Sequence, residues 1–368
     1  MNAPVVPNIK QAQATGIVCV TLDIHLWSGR KRLRKENLLA KNPELAHLPP
    51  ESLATLGSIK IADPEDLAPF LKYKREAEKL LKLHGLPLLG TIGIPEAKVH
   101  LVHSGLLEIK RKFDDLARKL YQDFDARISQ WRSRIDNKDW EHLITDIPTP
   151  EYVAGRLSFG SHLCRVSAPS SDEFSDVNQQ FGKQMTGLKG ELFAEAAEEA
   201  KTLMEKYLMG KDAHGAVRKR EKITQKTLGP LKRIGAKFKS FSFLDPTVEP
   251  LAQIVDHVLA LLPDEGPIEG VHLMHVWTLA KTLSNNASAQ QAALLVMDSG
   301  GANHAFESLL STAPEQVESP AEAVVGDTAD NTLEEELKAD DGASSQAMSP
   351  VQPKGDDDGF QPEFVGLF

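Results

Sequence analysis

Between Glu96 and Asn137 the apolar residues Val102, Leu106, Ile109, Phe113, Leu116, Leu120, Phe124, Ile128 and Trp131 recur every three or four positions. Lys110, Arg111, Lys112, Asp114, Asp115, Arg118 and Lys119 fill positions between them. This spacing predicts one long helix of about eight turns, with an apolar stripe and a charged face. Pro95 stands where a helix accepts proline, and Asn137 reads as a stop. Such a stripe needs a cover of similar length. Over 172–209, Val177, Phe181, Met185, Leu188, Leu192, Ala196, Ala200, Leu203 and Tyr207 repeat the pattern. Together they predict a long antiparallel, coiled-coil-like hairpin. Gly182, Gly187 and Gly190 each weaken the second helix by about 1 kcal/mol relative to alanine. Close approach of the first helix is the expected compensation.

A different period opens the chain. From Gly16 to Trp27, Val18, Val20, Leu22, Ile24 and Leu26 alternate with Cys19, Thr21, Asp23, His25 and Trp27, which predicts a strand over about 17–27. The run Arg30, Lys31, Arg32, Arg34, Lys35 reads as a short helix or turn. Asp63-Pro64-Glu65 opens a helix that Gly85 ends, and 86–94 is an irregular apolar segment leading into the central helix. A second short strand is expected near 156–166. Compact helices follow at 248–262 and 268–284, and a weaker one over 287–297. The fold class is therefore mainly α with a small β component (α+β). Residues 1–15 are a flexible N-terminus, 16–300 the folded domain, and 301–368 a disordered acidic tail with an apolar tip.

Charge sharpens this division. The chain carries −10 overall, yet from Thr312 onward fourteen acidic residues face two lysines, so the acidity belongs to the tail. The body holds the opposite feature. Arg218, Lys219, Arg220, Lys222, Lys226, Lys232, Arg233, Lys237 and Lys239 stand against the single acid Glu221 over 216–239. Four readings fit this amphipathic basic segment: a solvated face, a dock for the acidic tail, an acidic protein partner, or non-specific DNA contacts through its phosphates. The tail ends in Asp356-Asp357-Asp358-Gly359-Phe360 and then Phe364, Leu367 and Phe368, an acidic spacer with aromatic anchors suited to docking on a partner.

Signals for catalysis are missing. The sequence has no phosphate-binding Gly-rich loop, no nucleophile elbow and no His-Glu-x-x-His, which excludes the commoner hydrolases and points to a non-enzymatic protein without a cofactor. His100 with His103, and His272 with His275, are spaced for one helix face, but no third metal ligand is nominated. His162 and Cys164 share a strand face without a carboxylate to orient them. Cys19 and Cys164, the two cysteines, lie far apart in apolar stretches and read as reduced, buried thiols. No window reaches the ~18 apolar residues of a membrane span, giving a soluble, cytoplasmic expectation.

The strand running into Leu26-Trp27-Ser28-Gly29-Arg30-Lys31 is one of several distinctive pieces. The others are Leu56-Gly57-Ser58 with its following lysine, Pro95-Glu96 at the helix start, and Phe113 to Trp131 along it. Over roughly Thr15 to Leu262 they resemble the bacterial and phage domain-of-unknown-function family 3150. The resemblance implies a place in phages and integrative elements, encoded beside a MoxR-like AAA ATPase and a von Willebrand factor A-type protein. It carries over no catalytic residues. On that footing the expected role is a scaffold or adaptor, able to self-associate, with a DNA-associated protein as the alternative.

Overall fold

Strand β1 (Ile17–His25) separates two hydrophobic cores. In the computed structural model, which describes residues 16–35, 38, 53–135, 143–144, 147–167, 175–211 and 217–312, β1 lies inside a four-stranded antiparallel sheet. The order is β4 (Leu86–Leu88), β5 (Thr91–Pro95), β1 and β6 (Ser158–Cys164). Ile17, Cys19, Leu86 and Leu88 join one core, and Val20, Ile94 and Phe159 join the other. Both faces of the strand's first half are thus buried, whereas its second half is covered on one face only. The strand ends at His25, two residues short of the expectation.

On one face lie α1 (Pro64–His84) and α2 (Glu96–Gln122). Asp63 caps α1 through the Glu65 amide, with Pro64 in the first turn, as the sequence indicates. Gly85 follows the helix in extended backbone, and a side chain does not fit there: a Cβ would stand 2.3 Å from Ile92 and 2.5 Å from Ile94. The apolar segment beyond it is an ordered hairpin, β4–β5. Leu89 and Gly90 both take positive φ (53° and 72°) at its tip, the geometry of a tight hairpin turn. The predicted long helix is divided at Asp123 into α2 and α3 (Phe124–Ser133). Its stripe is buried as expected through Val102, Leu106, Ile109, Phe113, Leu120, Phe124 and Ile128, but 136–137 lie outside the described residues.

What covers that stripe corrects the hairpin. α2 packs on α1, the sheet and the short helix α4 (Pro150–Ala154), not on α5 (Ser175–Thr202), the predicted partner. Rings from three elements lock this core, with Phe70 5.0 Å from Phe113 and Phe113 5.6 Å from Phe159. The stripe required a cover, and α1 with the sheet supplies it from nearer in sequence. α5 and the wide turn Leu203–Leu208 instead serve the second core. Nor do the three glycines of α5 mark a close approach, because no described atom lies within 4 Å of a Cβ built on Gly182, Gly187 or Gly190.

The second core is a stack of helices: α5, α6 (Gly229–Ser240), α7 (Val248–Ala260), α8 (Gly270–Leu283), α9 (Asn286–Ser299) and α10 (Ala302–Thr312). Gly235 lets α6 press on α7, since a Cβ there would meet Val255 at 2.8 Å. The folded body runs past the expected boundary at residue 300. Gly300 takes a left-handed turn (φ 75°), and α10 then buries Ala305 and Phe306. The remaining tail, with Asp356, Asp357, Asp358, Phe360, Phe364, Leu367 and Phe368, lies outside the described residues.

Small ladders complete the body. β2 (Arg30–Arg32) pairs with β3 (Ser58–Lys60), so the basic run after β1 begins as a strand rather than a helix or turn. β7 (Met209–Lys211) pairs with β8 (Val217–Lys219), and β9 (Lys222–Ile223) with β10 (Ile268–Glu269). Among the described residues no helix is long and apolar enough to cross a membrane.

Candidate functional site: a basic cleft

The basic segment is not one amphipathic element. Arg218 and Lys219 are exposed on β8, Arg220 follows, Lys222 lies on β9 and Lys226 on a single helical turn. The Lys219 ammonium sits 5.0 Å above the Trp277 ring, and Arg220 Nε donates to the Met209 carbonyl at 3.1 Å. Only Lys232, Arg233, Lys237 and Lys239 share a helix, α6. The segment's nine cations are therefore spread over several surfaces.

α6 buries Leu231, Ile234 and Phe238 in the second core. Lys232, Arg233, Ala236, Lys237 and Ser240 repeat at three- and four-residue steps, which lines them along another face. Opposite them come Leu83 and His84 at the end of α1 and Lys98 in the first turn of α2. Between these walls is a cleft of about 260 Å³. It lies where the helix layers from the two sides of the sheet meet, so residues distant in sequence converge there.

Several of these cations have structural work. Lys237 is buried, and its Nζ donates to both oxygens of Glu195 at 2.5 and 2.6 Å and to the Lys82 carbonyl at 2.9 Å. Burial pulls the Lys237 ammonium below the usual lysine range, and the Glu195 carboxylate opposes that pull. Arg233 lies 3.4 Å from Glu199, whose carboxyl is pushed up by burial, and Lys239 pairs with Asp256 at 2.7 Å. Lys98 and Lys232 have no carboxylate within ion-pair distance among the described residues. Burial, then the charges of Lys98 and Lys237, hold the His84 imidazole below its ordinary value. The cleft is electrostatically suited to an anion. Periodicity and charge in the sequence nominate Lys232, Arg233 and Lys237; His84 and Lys98, isolated in sequence, escape that reading.

Other sequence candidates fall elsewhere. His100 and His103 are exposed on α2, and His272 and His275 meet ring to ring at 6.2 Å on α8. Among the described residues no group of three potential ligands is placed to hold a metal. Cys164 is exposed, not buried, and Asp23 supplies the carboxylate that the sequence left unnamed beside His162, at 3.8 Å.

No curated protein and no solved structure matches the chain. A family model does match, over residues 15–285. Its span takes in the sheet, both walls of the cleft and the helices through α8, and by it the chain belongs to the family described as protein of unknown function (DUF3150).

Proposed function

We propose that the protein is a non-enzymatic helical scaffold or adaptor that takes an acidic surface of a partner into the cleft between α1, α2 and α6. The observation that carries this reading is the pair Lys98 and Lys232, cations without a carboxylate partner among the described residues, beside apolar Leu83 and Ala236. An apolar floor with charged walls selects an acidic segment bearing an apolar side chain. Lys237, fixed by Glu195, keeps the wall rigid. The family resemblance makes a MoxR-like AAA ATPase, with a von Willebrand factor A-type protein, the first partner to try, in the cytoplasm and within a phage or integrative-element system. The acidic, aromatic C-terminus is a second recruiting element in this proposal.

Capture of that ATPase by the tagged full-length chain tests the reading. Lys98→Glu with Lys232→Glu should weaken capture at least tenfold, about 1.4 kcal/mol, with no change in thermal midpoint. Equal capture by both proteins would remove the cleft from the interaction. The exposed cations Arg218, Lys219 and Lys222 support DNA binding as the second reading. A salt-sensitive DNA shift, abolished by their replacement with glutamate and untouched by the cleft substitutions, would put it first.

A further inference from the structure

The chain's two cysteines stand opposite each other in the sheet: the register pairs Cys19 of β1 with Cys164 of β6. Partners across an antiparallel ladder have Cα atoms about 4.5–5.5 Å apart and project to the same face, within the roughly 4.4–6.8 Å that a disulfide spans. The thiols differ in environment. Cys19 is 1% exposed, at the edge of the second core, whereas Cys164 is open to solvent on the outermost strand. Burial pushes the Cys19 thiol up, a hydrogen bond with Thr91 opposes this, and Cys164 adds to the rise. On the same face His162 precedes Cys164 by two residues, with its Nε2 3.8 Å from Asp23 Oδ2, while His25 Nε2 lies 2.9 Å from Asp23 Oδ1. Of the two thiols, the solvent-open Cys164 is therefore the one a dissolved oxidant meets first.

We propose that Cys164 and Cys19 are a reversible, peroxide-oxidised thiol pair, with Cys164 the attacking and Cys19 the resolving residue. The Cys164 thiol gives its proton to solvent, and its sulfur attacks one oxygen of hydrogen peroxide. The O–O bond breaks, hydroxide leaves and takes that proton to become water, and Cys164 becomes a sulfenic acid, oxidised by two electrons. The Cys19 sulfur then loses its proton and attacks the Cys164 sulfur. An S–S bond forms as the S–O bond breaks, and the departing hydroxide takes the proton as a second water. Two thiols and one peroxide give one disulfide and two waters, and a dithiol reductant restores the thiols.

The test treats reduced full-length protein with hydrogen peroxide, then alkylates it after denaturation. The expected product is a monomer lighter by two hydrogens, with both cysteines blocked, a Cys19–Cys164 linked peptide, a raised thermal midpoint, and full reversal by dithiothreitol. Cys164→Ser should leave Cys19 alkylatable at the same dose, and Cys19→Ser should leave a Cys164 sulfenic acid that dimedone captures. Wild-type protein that forms only Cys164–Cys164 dimers, or whose Cys19 stays alkylatable after treatment, would overturn the proposal without recourse to either variant.

Discussion

The two cores on either side of the sheet differ in the proportion of large and small residues that fill them. The α1/α2 side is aromatic and assembled from neighbours in sequence, with Phe70, Phe113, Phe124 and Phe159 buried and Trp27 5.9 Å from Phe124. The α5–α10 side buries rings too, Phe181, Phe193, Phe238, Phe241 and Phe306, but sets many more alanines between its helices: Ala200, Ala252, Ala280, Ala292 and Ala293 are all but inaccessible, and Gly235 brings α6 against α7. An ion pair, Lys237 with Glu195, lies at its margin. Large rings fill volume wherever a helix lands, whereas alanines and glycines work only if the backbones come close. The first side should therefore be sensitive to charge and the second to geometry and pairing.

Replacing Phe113 with aspartate tests this most severely. An unpaired carboxylate among those rings should cost about 4 kcal/mol or more, read as a collapse of the urea midpoint. A midpoint equal to wild type would mean that the ring cluster is not a core. On the other side, Lys237→Ala strands the Glu195 carboxylate and should cost about 3 kcal/mol. The double change Lys237→Met with Glu195→Leu should recover most of that loss, because the site then holds apolar groups of similar size. No recovery would show that the pair itself, not the relief of an unpaired charge, holds the margin. The smallest effect is a gain. Leu89 occupies a left-handed conformation at the β4–β5 turn, so Leu89→Asn should raise stability by about 0.5 kcal/mol in the same denaturation series.

The same contrast decides what could be read from sequence. Asp63-Pro64, the stripe from Val102 to Ile128, and the alternation in β1 are local signals, and each appears in place. A stripe states that a face is buried without naming its cover. Phe113 could as well have met Phe181 as Phe70, and only the β4–β5 hairpin, turning at Leu89-Gly90, returns the chain so that α2 lies on α1 and the sheet. α10 does carry a local stripe, Ala302, Ala305, Phe306, Leu309 and Leu310 at three- and four-residue steps, but it sits at the edge of the acidic, Ser- and Pro-rich composition, and Phe306 finds its ring neighbours His257 and His275 on α7 and α8. The cleft was half legible. α6 declares its cations by density, whereas His84 and Lys98 become significant only through the meeting of layers distant in sequence.

That β1 forms the wall between the cores also bears on how the protein is made. It leaves the ribosome before either of its partners, as an apolar segment with both edges unpaired, and β5 and β6 are complete only after residues 95 and 164 have been synthesised. Neither core can close until that pairing is made. The nascent chain must therefore keep a sheet-prone segment from self-association through a long stretch of translation.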